Sequence, residues 1–426
     1  RTQLRRFIDT EITPYAEEWD EAGHIPIELW PKAAAVGLLG LGYPEEFGGT
    51  REGIDSWHGW ITNEELARVG VGGIAASLMV HGIGLPPVLN WGSEAMKQQV
   101  APPVLAGEKH ISLGITEPGG GSDVANLSTT AVRDGDHYIV NGSKTYITGG
   151  MRANWVSTAV RTGGEGHRGV SMLLIPTDAE GFSRTELDRK QGWWASDTAT
   201  LYFDNVRVPV ENLIGEENKG FLVIMTNFNG ERMAMAAGME AMGRVCLEEA
   251  VQWAQERKTF GKRLADHQVI RHKIAQMKQK LNATQAYIRI CYESIENGNP
   301  NPGDIAMLKV QASETLEYCA REAMQILGGI GYMRGNRVER IYREVRVNAI
   351  GGGSEEIMRD LASRHGHALG IEVGHDHQEA LVFLADEVLH RHTHVIEIEG
   401  GGIRGPPALL AVQLGATEPL GIGGNQ

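Results

Sequence analysis

The sequence predicts an α+β protein in three parts: an N-terminal helical domain, a small central β-barrel or sheet domain, and a C-terminal four-helix bundle. Three observations carry this reading. Apolar residues recur at helical spacing over residues 1–112, give way to short β-rich runs between turn residues over 113–228, and return to helical spacing over 229–364. Gly, Asn and Pro cluster between the β-rich runs, as tight strand connections require. The length of 426 residues suffices for two or three domains with a sizeable core.

In the first part, Leu4, Phe7, Ile8 and Ile12 share one helical face, and Pro14 is expected to break the helix. A loop at 42–49, Gly-Tyr-Pro-Glu-Glu-Phe-Gly-Gly, separates the early helices, and the small apolar stretch from Leu66 to Leu89 suits a buried helix. The central part contains Tyr138–Val140, Trp155–Val160, Val170–Ile175, Leu201–Phe203 and Val206–Val208 as strand candidates. Asn141-Gly142 reads as a hairpin turn, and Pro176 and Pro209 as strand ends. In the last part Met242, Val245, Cys246, Ala250 and Trp253 form one apolar face. Leu308, Ala312, Thr315, Leu316, Cys319, Ala323, Ile326 and Leu327 form another, with a helix–helix turn at 298–303 between the two.

The net charge of −14 and the pI near 5.6 exclude the basic face that nucleic-acid binding needs. Cys246, Cys291 and Cys319 are far apart, match no ligand spacing and suit a reducing compartment. No apolar run of 18 residues is legible, so no membrane span is expected. The chain begins at Arg1 inside a charged amphipathic run, which reads as a fragment without a short leader. Residues 365–426 differ from the rest: they hold 7 of the 15 His, and from 366 onward 8 acidic residues face only Arg391 and Arg404. This His- and Gly-rich tail reads as a disordered extension or the product of an altered reading frame. The pairs His375/His377 and His392/His394 are its alternative reading as a transition-metal site, and no metal is assigned to the chain.

The most specific signal is Ile115–Gly150, where ITEPGGGSD is followed by VNGSKTYITGG. A run of Gly lets backbone approach a ligand and exposes N–H groups to phosphate or carbonyl oxygens. Together with Glu256-Arg-Lys-Thr-Phe-Gly261 and Gln325-Ile-Leu-Gly-Gly329, in that order, this set resembles the acyl-CoA dehydrogenase family over residues 1–364. The resemblance implies FAD as cofactor. It places Ile115, Thr116, Gly121 and Ser122 at the isoalloxazine and pyrophosphate, and Tyr146, Ile147 and Thr148 on another part of the ring. It places Arg257, Thr259 and Phe260 on the FAD of a neighbouring subunit, with His267 and Gln268 as a further cofactor-side pair. Gln325, Leu327, Gly328 and Gly329 face the adenosine half, and Gly353 and Ser354 the flavin side. The fork of Arg257 suits a pyrophosphate because it engages two oxygens at once.

The implied reaction is α,β-dehydrogenation of an acyl-CoA to a trans-2-enoyl-CoA, which needs a base for the α-proton. Many relatives carry a Glu before the Gly-Thr-Ser of the C-terminal loop; here that position is Gly352, in Ile350-Gly-Gly-Gly-Ser-Glu-Glu-Ile357. Relatives resembling isovaleryl- and long-chain acyl-CoA dehydrogenases carry it on a helix just before an Arg, and Glu231-Arg232 matches that arrangement. Glu231 is therefore the expected base, with Glu355 and Glu356 as rivals. Desolvation by an apolar acyl chain would raise its pKa toward working pH. Ser122, Asn229, Arg232 and Gly352 match substrate-side positions, and the backbone near Gly352 can polarise the thioester carbonyl. The Ser196–Pro209 run resembles a second family signature of architectural character.

The resemblance, with Glu231 on the helix, implies a medium-to-long- or branched-chain substrate, electron-transferring flavoprotein as acceptor and a homotetramer built as a dimer of dimers. It also implies a cytoplasmic location in a bacterium or the mitochondrial matrix in a eukaryote. The alternatives are a flavin oxidase or monooxygenase on the same fold, and a non-catalytic acyl-CoA-binding protein.

Overall fold

The computed structural model describes residues 1–365, so the expectations for the His-rich tail lie outside the described residues. The N-terminal helices are α1 Thr2–Phe7, α2 Ala16–Ala22, α3 Leu29–Ala35, α4 Ser56–Ala67, α5 Gly72–Leu78, α6 His81–Trp91 and α7 Glu94–Leu105. Pro14 does not break the first helical path. Ile8–Ile12 wind a π turn and Thr13–Tyr15 a 3-10 turn, and the chain runs on into α2. Proline at the start of the 3-10 turn has no helical N–H bond to lose there. The 66–89 stretch is likewise more than one helix: α4 ends at Ala67, Gly70 takes φ +76°, and α5 and α6 part at Met79 and Val80. Gly72–Trp91 is long and apolar enough to cross a membrane, yet it is two helices with most of its residues buried in the fold.

The central domain is one eight-stranded sheet. Its strands are β1 Ile111–Gly114, β2 Thr130–Asp134, β3 His137–Thr148, β4 Trp155–Arg161, β5 Val170–Pro176, β6 Phe182–Glu186, β7 Thr198–Pro209 and β8 Leu213–Ile214. The order is β6-β7-β3-β2-β4-β5-β8, with β1 parallel to β4. Pro176 and Pro209 end strands as expected.

Asn141-Gly142 is not a hairpin turn but lies inside β3. The β2–β3 reversal is at Gly135-Asp136, between the paired Asp134 and His137. Gly142 sits where the β3–β7 register slips, and Asn141 Oδ1 accepts the Asn205 amide at 2.8 Å across the bulge. With φ +143°, a Cβ on Gly142 would lie 2.7 Å from Thr129 Cα, so glycine is demanded here by a close strand crossing. The same bulge, with Asn205 at φ +52°, bends 201–203 and 206–208 into the single strand β7.

The C-terminal domain comprises α8 Gly220–Glu256, the short ribbon β9 Lys258–Thr259 and β10 Lys262–Arg263, then α9 Gln268–Glu296, α10 Pro302–Leu327, α11 Arg337–Ile350 and α12 Glu355–His365. Helix α8 crosses the expected boundary at 228/229. Val223 and Ile224, in its first turns, pack with Met172 and Ile214 of the sheet and Val88 of α6. Farther along, Met242, Val245 and Cys246 pack with Leu281, Leu316 and Cys319 in the bundle core. One continuous helix therefore joins both cores and brings residues 229–232 to the junction between them.

Candidate active site

Helices α11 and α12 are joined by Gly351–Ser354, a loop lying over the 229–235 turns of α8. Two buried cations hold its carbonyls. Arg232 Nε donates to Gly352 O at 3.2 Å, and Lys309 Nζ, from α10, donates to Gly353 O at 2.7 Å. Arg232 also donates to Asn229 Oδ1 at 3.2 Å, one helical turn back, and lies over the Phe228 ring. Gly352 and Gly353 have φ of +67° and +100°, and their amides have no acceptor among the described residues.

Glu231 is half-buried and accepts no hydrogen bond among the described residues. A Cβ placed on Gly352 would lie 2.7 Å from Met235 Sδ and 3.8 Å from Glu231 Oε1. The helix carboxylate thus reaches the space that a side chain at 352 would enter, and Met235 helps to fill it. Burial raises the Glu231 carboxyl above the ordinary carboxylate range, while Arg232 and Lys309 pull against the rise. Burial likewise lowers Arg232, and it pushes Lys309 down to about 8 against the attraction of Glu355.

The two rival carboxylates are placed differently. Glu355 accepts from Ser313 Oγ at 2.6 Å and pairs with Arg359 at 3.5 Å. Glu356 is exposed at the first turn of α12, where backbone and Ser354 donors hold it below the ordinary range.

The glycine-rich turn follows β1. Glu117 and Gly120 exchange backbone hydrogen bonds at 3.1 Å, and space is open where side chains on Gly119 and Gly120 would stand. Beneath the turn Lys144 Nζ donates to Glu117 Oε1 at 2.7 Å and to Ile115 O at 3.1 Å. Glu117 also accepts from Ser128 N, Ser128 Oγ and Thr129 N. Thr145 N donates to Thr116 O at 2.8 Å, tying the turn to the end of β3. There Tyr146 is held at φ +59° with 70% of its surface exposed. Strain of this kind in a non-glycine residue costs on the order of 1–3 kcal/mol and concentrates at functional sites.

Ser122 is exposed and the Thr148 hydroxyl has no partner among the described residues. The side chains of Ile115 and Ile147 are buried in the apolar cores, so these two can offer a ligand only their backbone.

The remaining expected residues lie at the end of the bundle. Phe260 is 97% exposed at φ +52°, edge-on to His267, whose Nε2 is 3.2 Å from Thr259 Oγ1. Arg257 and Gln268 are exposed, and the Arg257 guanidinium is unpartnered among the described residues. Gln325, Gly328 and Gly329 are exposed where α10 ends, whereas Leu327 packs in the bundle core. Within the chain no hydrogen bond, ion pair or ring contact among the described residues joins these groups to the turn or to Glu231.

Sequence reading missed Lys309 and the Glu117–Lys144 pair. A signal for the first exists: Lys309 shares a helical face with Ala312, Ser313, Leu316 and Ala320, all buried, and a lone lysine in such a stripe marks a buried charge.

Family models match along most of the chain: the acyl-CoA dehydrogenase N-terminal domain at residues 1–108, the middle domain at 112–206 and the C-terminal domain at 218–367. An acyl-CoA dehydrogenase of Alternaria alternata is 39% identical over 393 residues, covering 85% of this chain and 89% of that protein. The mitochondrial long-chain specific acyl-CoA dehydrogenase of Rattus norvegicus is 35% identical over 367 residues, covering 85% of each. The crystal structure of an acyl-CoA dehydrogenase from Geobacillus kaustophilus superposes with a TM-score of 0.81 at 35% identity, covering 85% of this chain and 96% of that one. The chain belongs to the acyl-CoA dehydrogenase family, FAD-dependent oxidoreductases acting on the CH–CH bond of acyl-CoA.

Proposed function

We propose that this chain dehydrogenates a medium-to-long- or branched-chain acyl-CoA to the trans-2-enoyl-CoA, with Glu231 as the base. One observation carries the assignment: Glu231 Oε1 lies 3.8 Å from the point where a side chain on Gly352 would begin. A carboxylate from α8 thereby reaches the space that the loop glycine leaves. The likeness to the rat long-chain enzyme supports the chain-length reading.

The residues present fit FAD. The open Gly119–Gly120 turn admits a ligand to the backbone, and Tyr146 presents an exposed ring beside it. Ser122 and Thr148 hold free hydroxyls, and Arg257 a free guanidinium for a pyrophosphate. When bound, the flavin supplies the two-electron acceptor for a hydride from the substrate β-carbon. Glu231 removes the α-proton and keeps it, and the Cα–Cβ double bond forms as the hydride leaves. Its half-buried position suits this task because partial burial brings a carboxylate nearer the pKa of an effective base. The free amides of Gly352 and Gly353 are available to the thioester oxygen as charge develops there. Arg232 restrains that loop and turns the Asn229 side chain toward itself.

Electron-transferring flavoprotein as acceptor, a homotetramer in which Arg257 and Phe260 reach the FAD of a neighbouring subunit, and a bacterial cytoplasmic or mitochondrial matrix location complete the reading. The deciding experiment is anaerobic absorbance of the flavin-loaded protein on adding acyl-CoAs of graded length and branching, for wild type and Glu231→Gln. Rapid bleaching in wild type and its loss in the variant support the base. Bleaching that survives Glu231→Gln moves the base elsewhere, and a sharp preference for short straight chains removes the substrate class.

A further inference from the structure

We propose that Lys309 is a positioning residue of this active site: it clamps the Gly352–Gly353 loop to the bundle and sets a positive field beneath the Glu231 carboxylate. The inference rests on the reading of Glu231 as base. It concerns a residue one helix removed from the reacting groups.

Lys309 lies in the buried face of α10 with 0% of its surface exposed. Its ammonium donates to the Gly353 carbonyl at 2.7 Å, and no carboxylate lies within 4.0 Å of it among the described residues. A buried ammonium with one neutral acceptor is costly, and an apolar side chain of equal length would suit the core better. Its position therefore calls for another explanation.

The loop supplies one. Arg232 takes the Gly352 carbonyl and Lys309 the next, so consecutive peptides of a glycine loop are fixed from two helices. Backbone without side chains has little else to hold it.

The field supplies the other. Facing Lys309 are Glu231 and Arg232 from α8, and Glu355 and Glu356 from α12. Glu355 is already engaged by Ser313 and Arg359, and Glu356 is exposed beside its own helix start. Glu231 is the carboxylate in this group without a hydrogen-bond donor. Lys309 and Arg232 are the two charges that favour its ionised form against burial. The pair offsets the desolvation a substrate tail would add, keeping the base ionised until a proton reaches it.

The test uses flavin-loaded Lys309→Met, Lys309→Gln and Lys309→Arg beside wild type, with Glu231→Gln as reference. In Lys309→Met and Lys309→Gln the acid limb of kcat/KM against pH moves to higher pH, each unit of displacement reading as an about tenfold loss on the acid side. Lys309→Arg leaves the limb in place. The pH dependence of enoyl-CoA affinity, followed by displacement of the flavin band, shows the same movement without turnover. If Lys309→Met does not retain flavin, Lys309→Gln, which keeps a donor to Gly353 but no charge, carries the same test. A limb unmoved in the neutral variants, or moved equally in Lys309→Arg, overturns the role of the charge. Turnover surviving in Glu231→Gln instead overturns the base assignment.

Discussion

The Glu117–Lys144 pair permits a worked prediction. Both side chains are buried, Glu117 at 5% and Lys144 at 0% exposure. Burial alone would raise the Glu117 carboxyl, but Lys144 and the Ser128 donors overcome it and hold it at about 2. Burial pushes Lys144 down to about 8, only partly opposed by Glu117. Against ordinary values of 4.5 and 10.5, the carboxylate adds about 3 kcal/mol to native stability at neutral pH and the ammonium subtracts about as much.

Both figures contain the same attraction between the two side chains, so they do not add; a buried pair costs little as a unit and much when one partner is lost. Glu117→Gln strands a buried ammonium and should cost about 3–5 kcal/mol. Lys144→Met leaves a carboxylate that still accepts from Ser128 N, Ser128 Oγ and Thr129 N, and should cost about 2 kcal/mol. Glu117→Gln with Lys144→Met removes both charges and keeps an oxygen for the two Ser128 donors but leaves Thr129 N without its acceptor, and should cost about 1–3 kcal/mol, less than the sum of the singles.

Urea unfolding of the four proteins at pH 7 measures the cycle. The carboxylate contribution is fully present above about pH 4.5 and is lost as pH falls toward 2. The lysine penalty persists below about pH 8 and lifts as pH rises toward 10.5. The double variant lacks both dependences. A double variant as unstable as the sum of the singles would refute the argument, because it would mean that the two charges do not act on each other.

Four further outcomes are expected. Glu231→Gln should lower the rate of anaerobic flavin bleaching by about 10²- to 10⁴-fold in stopped flow, the range of a positioned general base. Because burial raises Glu231 and the base must be ionised, kcat/KM in wild type should climb with pH through a midpoint above the ordinary carboxylate value; a midpoint at or below 4.5 would contradict the desolvation of this carboxylate. Gly142→Ala should destabilise by roughly 2 kcal/mol or more in thermal unfolding, since its Cβ would meet Thr129 backbone at 2.7 Å at a φ of +143°. Arg257→Ala should weaken flavin retention on gel filtration while leaving unfolding of the chain within about 0.5 kcal/mol of wild type, because the side chain is exposed and unpartnered.

Much of this protein was legible in one dimension. Helix faces such as Leu308 to Leu327 repeat locally, so burial of one stripe follows from spacing alone. The strand ends at Pro176 and Pro209 follow from a missing donor, and Glu231-Arg232 was recognisable as adjacent residues in a helix. The errors share a cause. Glycine signals only that φ is positive or that backbone comes close, so Asn141-Gly142 looked like a turn when Thr129 on a neighbouring segment made it a bulge. Pro14 removes one N–H, which a short π and 3-10 interlude accommodates once Ile8 and Ile12 are anchored in the core.

The sequence by itself determined the order of helical, β and helical parts, the motif set that marks the family and the residue types available for catalysis, because each rests on neighbours in the chain. Tertiary structure alone decided that the Glu231 carboxylate reaches the space above Gly352, 121 positions later, and that Lys309 and Arg232 hold consecutive carbonyls of that loop. It also decided that Lys144 is paired under the glycine turn and that Ile115, Ile147 and Leu327 turn their side chains into the core. These depend on how helices and strands pack. The field at a buried charge is set by all the groups around it, whatever their separation along the chain.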